Sequence, residues 1–81
     1  MTNILRVGDI DTNGDSMIEG SDDVFVNGMS VCRVGDLDSN GNNLVEGSST
    51  VFVNGLPIGR IGDLDSKGHT KITGSDDASA E

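Results

Sequence analysis

Two stretches of this chain place oxygen ligands at alternate positions. Asp9-Ile10-Asp11-Thr12-Asn13-Gly14 and Asp36-Leu37-Asp38-Ser39-Asn40-Gly41 both read Asp-x-Asp-x-Asn-Gly. That is how a calcium-binding EF-hand loop opens, with hard oxygens suited to Ca²⁺. Such a loop closes on a bidentate Glu at its twelfth position. Gly20 and Gly47 stand there, with Glu19 and Glu46 one residue early, and a third copy carries Lys67 and Thr73 where ligands belong. Asp, Asn, Ser and Gly are also the residues of tight turns, and turns are the reading taken. His69 is the one imidazole and the one candidate transition-metal ligand. Cys32 is the one thiol; between Val31 and Arg33 in a predicted strand it reads as a small buried hydrophobe. No second His completes a Cys-His or Ser-His-Asp arrangement, and the acidic residues recur along the chain instead of forming one unique site. The chain is not expected to be an enzyme.

The elements that must position these residues repeat every 27 residues. Arg6-Val7-Gly8-Asp9, Arg33-Val34-Gly35-Asp36 and Arg60-Ile61-Gly62-Asp63 are one cassette three times, and Gly20-Ser21, Gly47-Ser48 and Gly74-Ser75 follow at a fixed offset. Val24-Phe25-Val26-Asn27-Gly28 returns as Val51-Phe52-Val53-Asn54-Gly55. Three near-equal units in one short chain imply a pseudo-threefold object, one that fits a partner of true threefold symmetry. Units of about 3–28, 29–55 and 56–77 make a single domain over residues 1–81. Residues 78–81 stand where Val-Phe-Val-Asn-Gly would continue, and are expected to be a tail.

Composition narrows the possibilities. With 81 residues, two Phe and no Trp or Tyr, the core must be thin. Domains this small usually need a disulfide, a metal or a partner as reinforcement. A lone Cys excludes an internal disulfide and fits a reducing compartment. The net charge of −9 argues against nucleic acid, whose phosphates call for clustered Lys and Arg. No basic start followed by an apolar run marks a signal peptide, and no apolar run approaches a membrane span, so neither a signal-directed route nor an integral membrane protein is expected.

Nothing in the sequence reads as helix. No window keeps a 3.6-residue apolar period, and twelve Gly interrupt the chain. Each unit is expected to hold three short strands: one ending in the Arg-Val-Gly-Asp cassette, one at Met17-Ile18-Glu19 or its copies, and one at Val24-Phe25-Val26 or Val51-Phe52-Val53. Asn-Gly between β-rich runs is a strong hairpin signal. The third strand of one unit should therefore fold back on the first strand of the next. Asn3-Ile4-Leu5 supplies the first strand of the first unit, so a closed ring with both ends at one seam is expected.

These residues resemble the PAAR-repeat family. The family pattern is a proline-alanine-alanine-arginine tetrapeptide, then Val/Leu-Gly-Asp, a loop, a strand ending in Gly-Ser and a strand ending in Asn-Gly. Leu56-Pro57-Ile58-Gly59-Arg60-Ile61-Gly62-Asp63 is the fullest copy, and Ser30-Val31-Cys32-Arg33 and Asn3-Ile4-Leu5-Arg6 are looser ones. The resemblance implies an all-β, small conical fold. It implies a spike-tip protein that caps the blunt end of a homotrimeric β-helical spike, one copy per trimer, and meets the target envelope transiently. It places the chain at a virion tail tip or on a type VI-like secretion machine.

The docking residues expected from the apolar strands are Val24, Phe25, Val26, Val51, Phe52, Val53, Leu56, Pro57 and Ile58. Arg6, Gly8, Asp9, Arg33, Gly35, Asp36, Arg60, Gly62 and Asp63 are read as scaffold, with each Arg held by a carboxylate or carbonyl inside the fold. Relatives carry an apical zinc or iron on His and Cys of the loops. The matching positions here are Asn13, Asn40 and Lys67, so the usual ligands are absent; one apical metal ion, with His69 as its candidate ligand, is the weaker alternative. The pinning role is assigned to hydrogen bonds among Asp11, Asp38, Asp65 and neighbouring amides. The rival reading is a calcium-binding acidic β-repeat module for adhesion or a surface array.

Overall fold

The computed structural model describes residues 2–81. Among them are six two-residue strands and no helix: β1 (Thr2–Asn3), β2 (Phe25–Val26), β3 (Met29–Ser30), β4 (Phe52–Val53), β5 (Leu56–Pro57) and β6 (Ser79–Ala80). They pair antiparallel as three ribbons, β2 with β3, β4 with β5, and β1 with β6. Two of the ribbons are the expected Asn-Gly hairpins. Asn27 and Gly28 have φ of 56° and 77°, and Asn54 and Gly55 have 55° and 79°. Positive φ at both central positions is what a type I′ turn demands.

The third ribbon corrects one expectation. Residues 78–81 are not a loose tail, because Ser79 and Ala80 lie opposite Asn3 and Thr2. Ile4 also donates its N–H to Ala78 O at 3.0 Å. Without β6, β1 would leave backbone groups unpaired beside the core. Ala80 is buried at the repeat position of Val26 and Val53. The ring closes through the two chain ends.

The units interlock. Single β-bridges pair Arg6 with Val31, Arg33 with Ile58, and Ile4 with Arg60; a second set pairs Met17 with Asp38, Leu44 with Asp65, and Asp11 with Lys71. Each set is one contact repeated around a pseudo-threefold axis. The cassette and the Met17-Ile18-Glu19 segment were expected as strands but make isolated bridges, since the chain turns to a new partner every few residues. Gly20, Gly47 and Gly74 permit the closest approach. A Cβ there would lie 2.9, 2.8 and 2.8 Å from the carbonyl oxygens of Val31, Ile58 and Ile4. Those same oxygens accept the N–H of Ser21, Ser48 and Ser75. Extents of 24 × 23 × 22 Å describe a body about as tall as it is broad.

Burial follows the repeat as layers. Ile4, Val31 and Ile58 pack with Val53 and Ala80 behind the ribbons. The residues next in the chain, Leu5 and Cys32, pack with Met17 and Leu44. The third residue of that layer is Gly59, where a side chain would meet Leu44 at 2.7 Å and Leu5 at 3.2 Å. Beyond it, Lys71 shares the repeat position of Met17 and Leu44 and is fully buried. The ribbons therefore end one side of the stack, and the acidic loops end the other.

Candidate functional site

At the ribbon end, apolar side chains face outward. Phe25 and Phe52 are each 55% exposed, with Met29, Leu56, Val24 and Val51 exposed beside them. Strand alternation explains the split, because neighbouring residues of β2 and β4 point to opposite faces. The expected docking set therefore divides. Val24, Phe25, Val51, Phe52 and Leu56 are on the surface, and Val26 and Pro57 are half-buried. Val53 and Ile58 are core residues and are removed from that set; their side chains fill the layer behind the ribbons. Met29 joins the surface set, since the repeat aligns it with Leu56. The third ribbon carries Thr2 and Ser79 at the positions of Met29/Leu56 and Phe25/Phe52, so one corner of this end is polar. Ile18, Val45 and Ile72, one position in the three repeats, are exposed as well.

Each repeated Arg is held by the carboxylate of its own cassette. Arg6 donates Nε to Asp9 Oδ2 at 3.0 Å and Nη2 to Asp9 Oδ1 at 3.1 Å. Arg33 does the same to Asp36 at 3.0 and 3.0 Å, and Arg60 to Asp63 at 3.1 and 2.9 Å. This fork geometry suits guanidinium and not ammonium. Donating to these carboxylates raises all three guanidinium pKa values. Arg6 and Arg33 also reach the turn residues Asn27 and Asn54. Arg60 has Glu81 at the matching place and uses Gly47 O instead.

At the loop end, the three repeated carboxylates converge. Asp11 Oδ1 accepts the N–H groups of Asn13 and Asp15, Asp38 Oδ1 those of Asn40 and Asn42, and Asp65 Oδ1 those of Lys67 and His69. Each Oδ2 faces the axis. There the Lys71 ammonium donates to Asp11, Asp38 and Asp65 at 3.1, 3.5 and 3.3 Å, and all four side chains are fully buried. Burial works against both charges but loses. The bonds and charges of Asp11 and Asp65 raise the Lys71 pKa, and the amides of His69 and Lys67, together with Lys71, pull Asp65 down to about 2.

The amide bonds to Asp11, Asp38 and Asp65 match the sequence expectation, and the lysine at their centre adds to it. Its signal was a cation at the one repeat position whose other copies are Met17 and Leu44. Adjacency across units, which assembles four residues from three repeats, is visible only in three dimensions.

His69 Nδ1 lies 3.5 Å from Asp65 Oδ2, 3.9 Å from Asp11 Oδ2 and 4.0 Å from Asp15 Oδ2. That nitrogen is buried and has no hydrogen-bond partner. The His and Cys set that holds an apical zinc or iron in the family is missing from these loops; Asp11, Asp65 and His69 lie close enough to share an ion, but Lys71 already occupies the two carboxylates. Asn13, Asn40 and Lys67 are exposed, the axial donors are carboxylate oxygens already engaged by Lys71, and such metals favour nitrogen and sulfur. Cys32 sits in the apolar layer with Leu5, Met17 and Leu44: its Sγ donates to Glu19 O, and burial pushes its thiol up to about 12. The loops also depart from an EF-hand, because Asp9 turns to Arg6 and Asp11 to the axis.

Fold and site define a class: a closed β module of three interlocked units, apolar at one end and acidic at the other. The PAAR motif matches residues 7–72 of this chain. The chain belongs to the PAAR-motif family, which is structural in character and known from the spike tips of contractile injection systems. A search of curated protein sequences returns no significant match.

Proposed function

We propose that this chain is a structural spike tip that caps the blunt end of a homotrimeric β-helical spike, with one copy per trimer. The observation that carries this reading is the ribbon end. It sets three antiparallel ribbons around one axis, two apolar ones presenting exposed Phe with Met or Leu and one polar one. A single chain of this kind meets three equivalent edges of a threefold partner. Docking through the ribbons turns the acidic loops toward the target envelope. The role is mechanical. No helix among the described residues is long and apolar enough to cross a membrane. The machine that carries the tip is a phage tail or a type VI-like apparatus.

Co-purification with a trimeric β-helical spike fragment, followed by native mass spectrometry, tests the reading. One chain per trimer is expected. Three chains per trimer, or none with any spike fragment of the same genome, defeats it.

A further inference from the structure

The loop end is built like a cation site whose cation belongs to the chain. We propose that Lys71 stands in for a metal ion: its ammonium is a tethered counter-cation in a carboxylate ring that, once the lysine is removed, takes a hard divalent ion such as Ca²⁺. The inference concerns the loop end alone and stands whether or not the ribbon end docks on a spike.

Four observations support it. The ring is complete, with one Oδ2 from each unit within 3.5 Å of Nζ and every side chain fully buried. It is held from behind, because two backbone N–H groups fix each Oδ1 and aim Oδ2 at the axis independently of the lysine. The charges do not cancel, since three carboxylates and one ammonium leave a formal −2, and removing Lys71 leaves −3 where an unpaired buried charge is strongly disfavoured. Finally, the lysine stem occupies a seat that Met17 and Leu44 fill in the other units, so an apolar side chain at 71 keeps the packing and removes only the charge.

The donor chemistry selects the ion. Calcium binds oxygen at about 2.3–2.6 Å, so oxygens now 3.1–3.5 Å from Nζ need to close in by roughly 0.5–1.2 Å around it. Asp15 and the unpartnered Nδ1 of His69 stand at the rim, within 4.0 Å of each other.

The test uses the full chain, its Lys71→Met variant and the Lys71→Met/Asp38→Asn variant. Thermal unfolding is followed by circular dichroism in EDTA and in a calcium series, with calorimetric titration of Ca²⁺. The parent should melt identically in both media and bind no calcium at the ring. Lys71→Met should melt lower in EDTA, recover progressively as calcium rises and bind one ion per chain. Deleting a ring oxygen in the double variant should weaken calcium at least tenfold. A Lys71→Met protein as stable in EDTA as the parent overturns the proposal. So does one that stays unfolded at saturating calcium, a double variant with undiminished affinity, or a parent chain destabilised by EDTA.

Discussion

Replacing Phe25 and Phe52 by Ser should separate docking from folding. Each ring is 55% exposed, which leaves about 110 Å² of a side chain of roughly 200 Å² for a partner to cover. At about 25 cal/mol per Å² that is ~2.7 kcal/mol per ring, or ~100-fold in Kd as an upper bound. Association costs absorb part of it, so about ten- to a hundredfold per ring is expected. The two rings lie on separate ribbons, β2 and β4, so their losses should multiply in the double variant. Folding should barely change, since exposed substitutions usually move stability by less than about 0.5 kcal/mol. The assay is interferometry of the tip on an immobilised trimeric spike fragment, with a melt of each variant alongside. Ser79→Ala on the polar corner is the control and should bind like the parent. A double variant that docks with parental affinity would refute the argument that these ribbons are the docking surface. A double variant that no longer folds would refute the assignment of the rings to the surface.

The close approach of neighbouring units predicts that Gly47→Ala costs about 2–4 kcal/mol, through overpacking against Ile58 O at 2.8 Å and loss of the Ser48 bond. Gly41→Ala, with open space around it and only a φ of +79° to strain it, should cost about 1–2 kcal/mol; denaturant unfolding showing equal losses would contradict the interlock. The pH profile follows from the axial cluster. Asp65 is lowered from 3.8 to about 2, so its share of stability, about 2 kcal/mol, is present above pH ~4 and is lost as the pH falls toward 2. Lys71 is raised above 10.5, so its share is full below that value and is lost as the pH rises through the higher folded value. Melts across pH check both limbs, and Asp65→Asn should flatten the acid one. Cys32, buried and pushed up to about 12, should resist a thiol reagent in the native protein and react at once in denaturant.

The sequence by itself determined the repeat, the all-β character, the two Asn-Gly ribbons and the pairing of Arg with a carboxylate. These are local properties: a turn needs only its two central residues, and Arg6 reaches Asp9 within one cassette. The tertiary structure decided what depends on distant segments meeting. Val53 and Phe52 are neighbours in the chain and equally apolar, yet one is core and the other surface, because strand alternation takes its direction from what lies behind the sheet. Residues 78–81 resemble a frayed end until β1 is seen to need a partner. Lys71 looks like an ordinary exposed lysine until three units bring Asp11, Asp38 and Asp65 to one axis. A buried charge is tolerated only where opposite charges surround it, and that surrounding is a property of the closed ring.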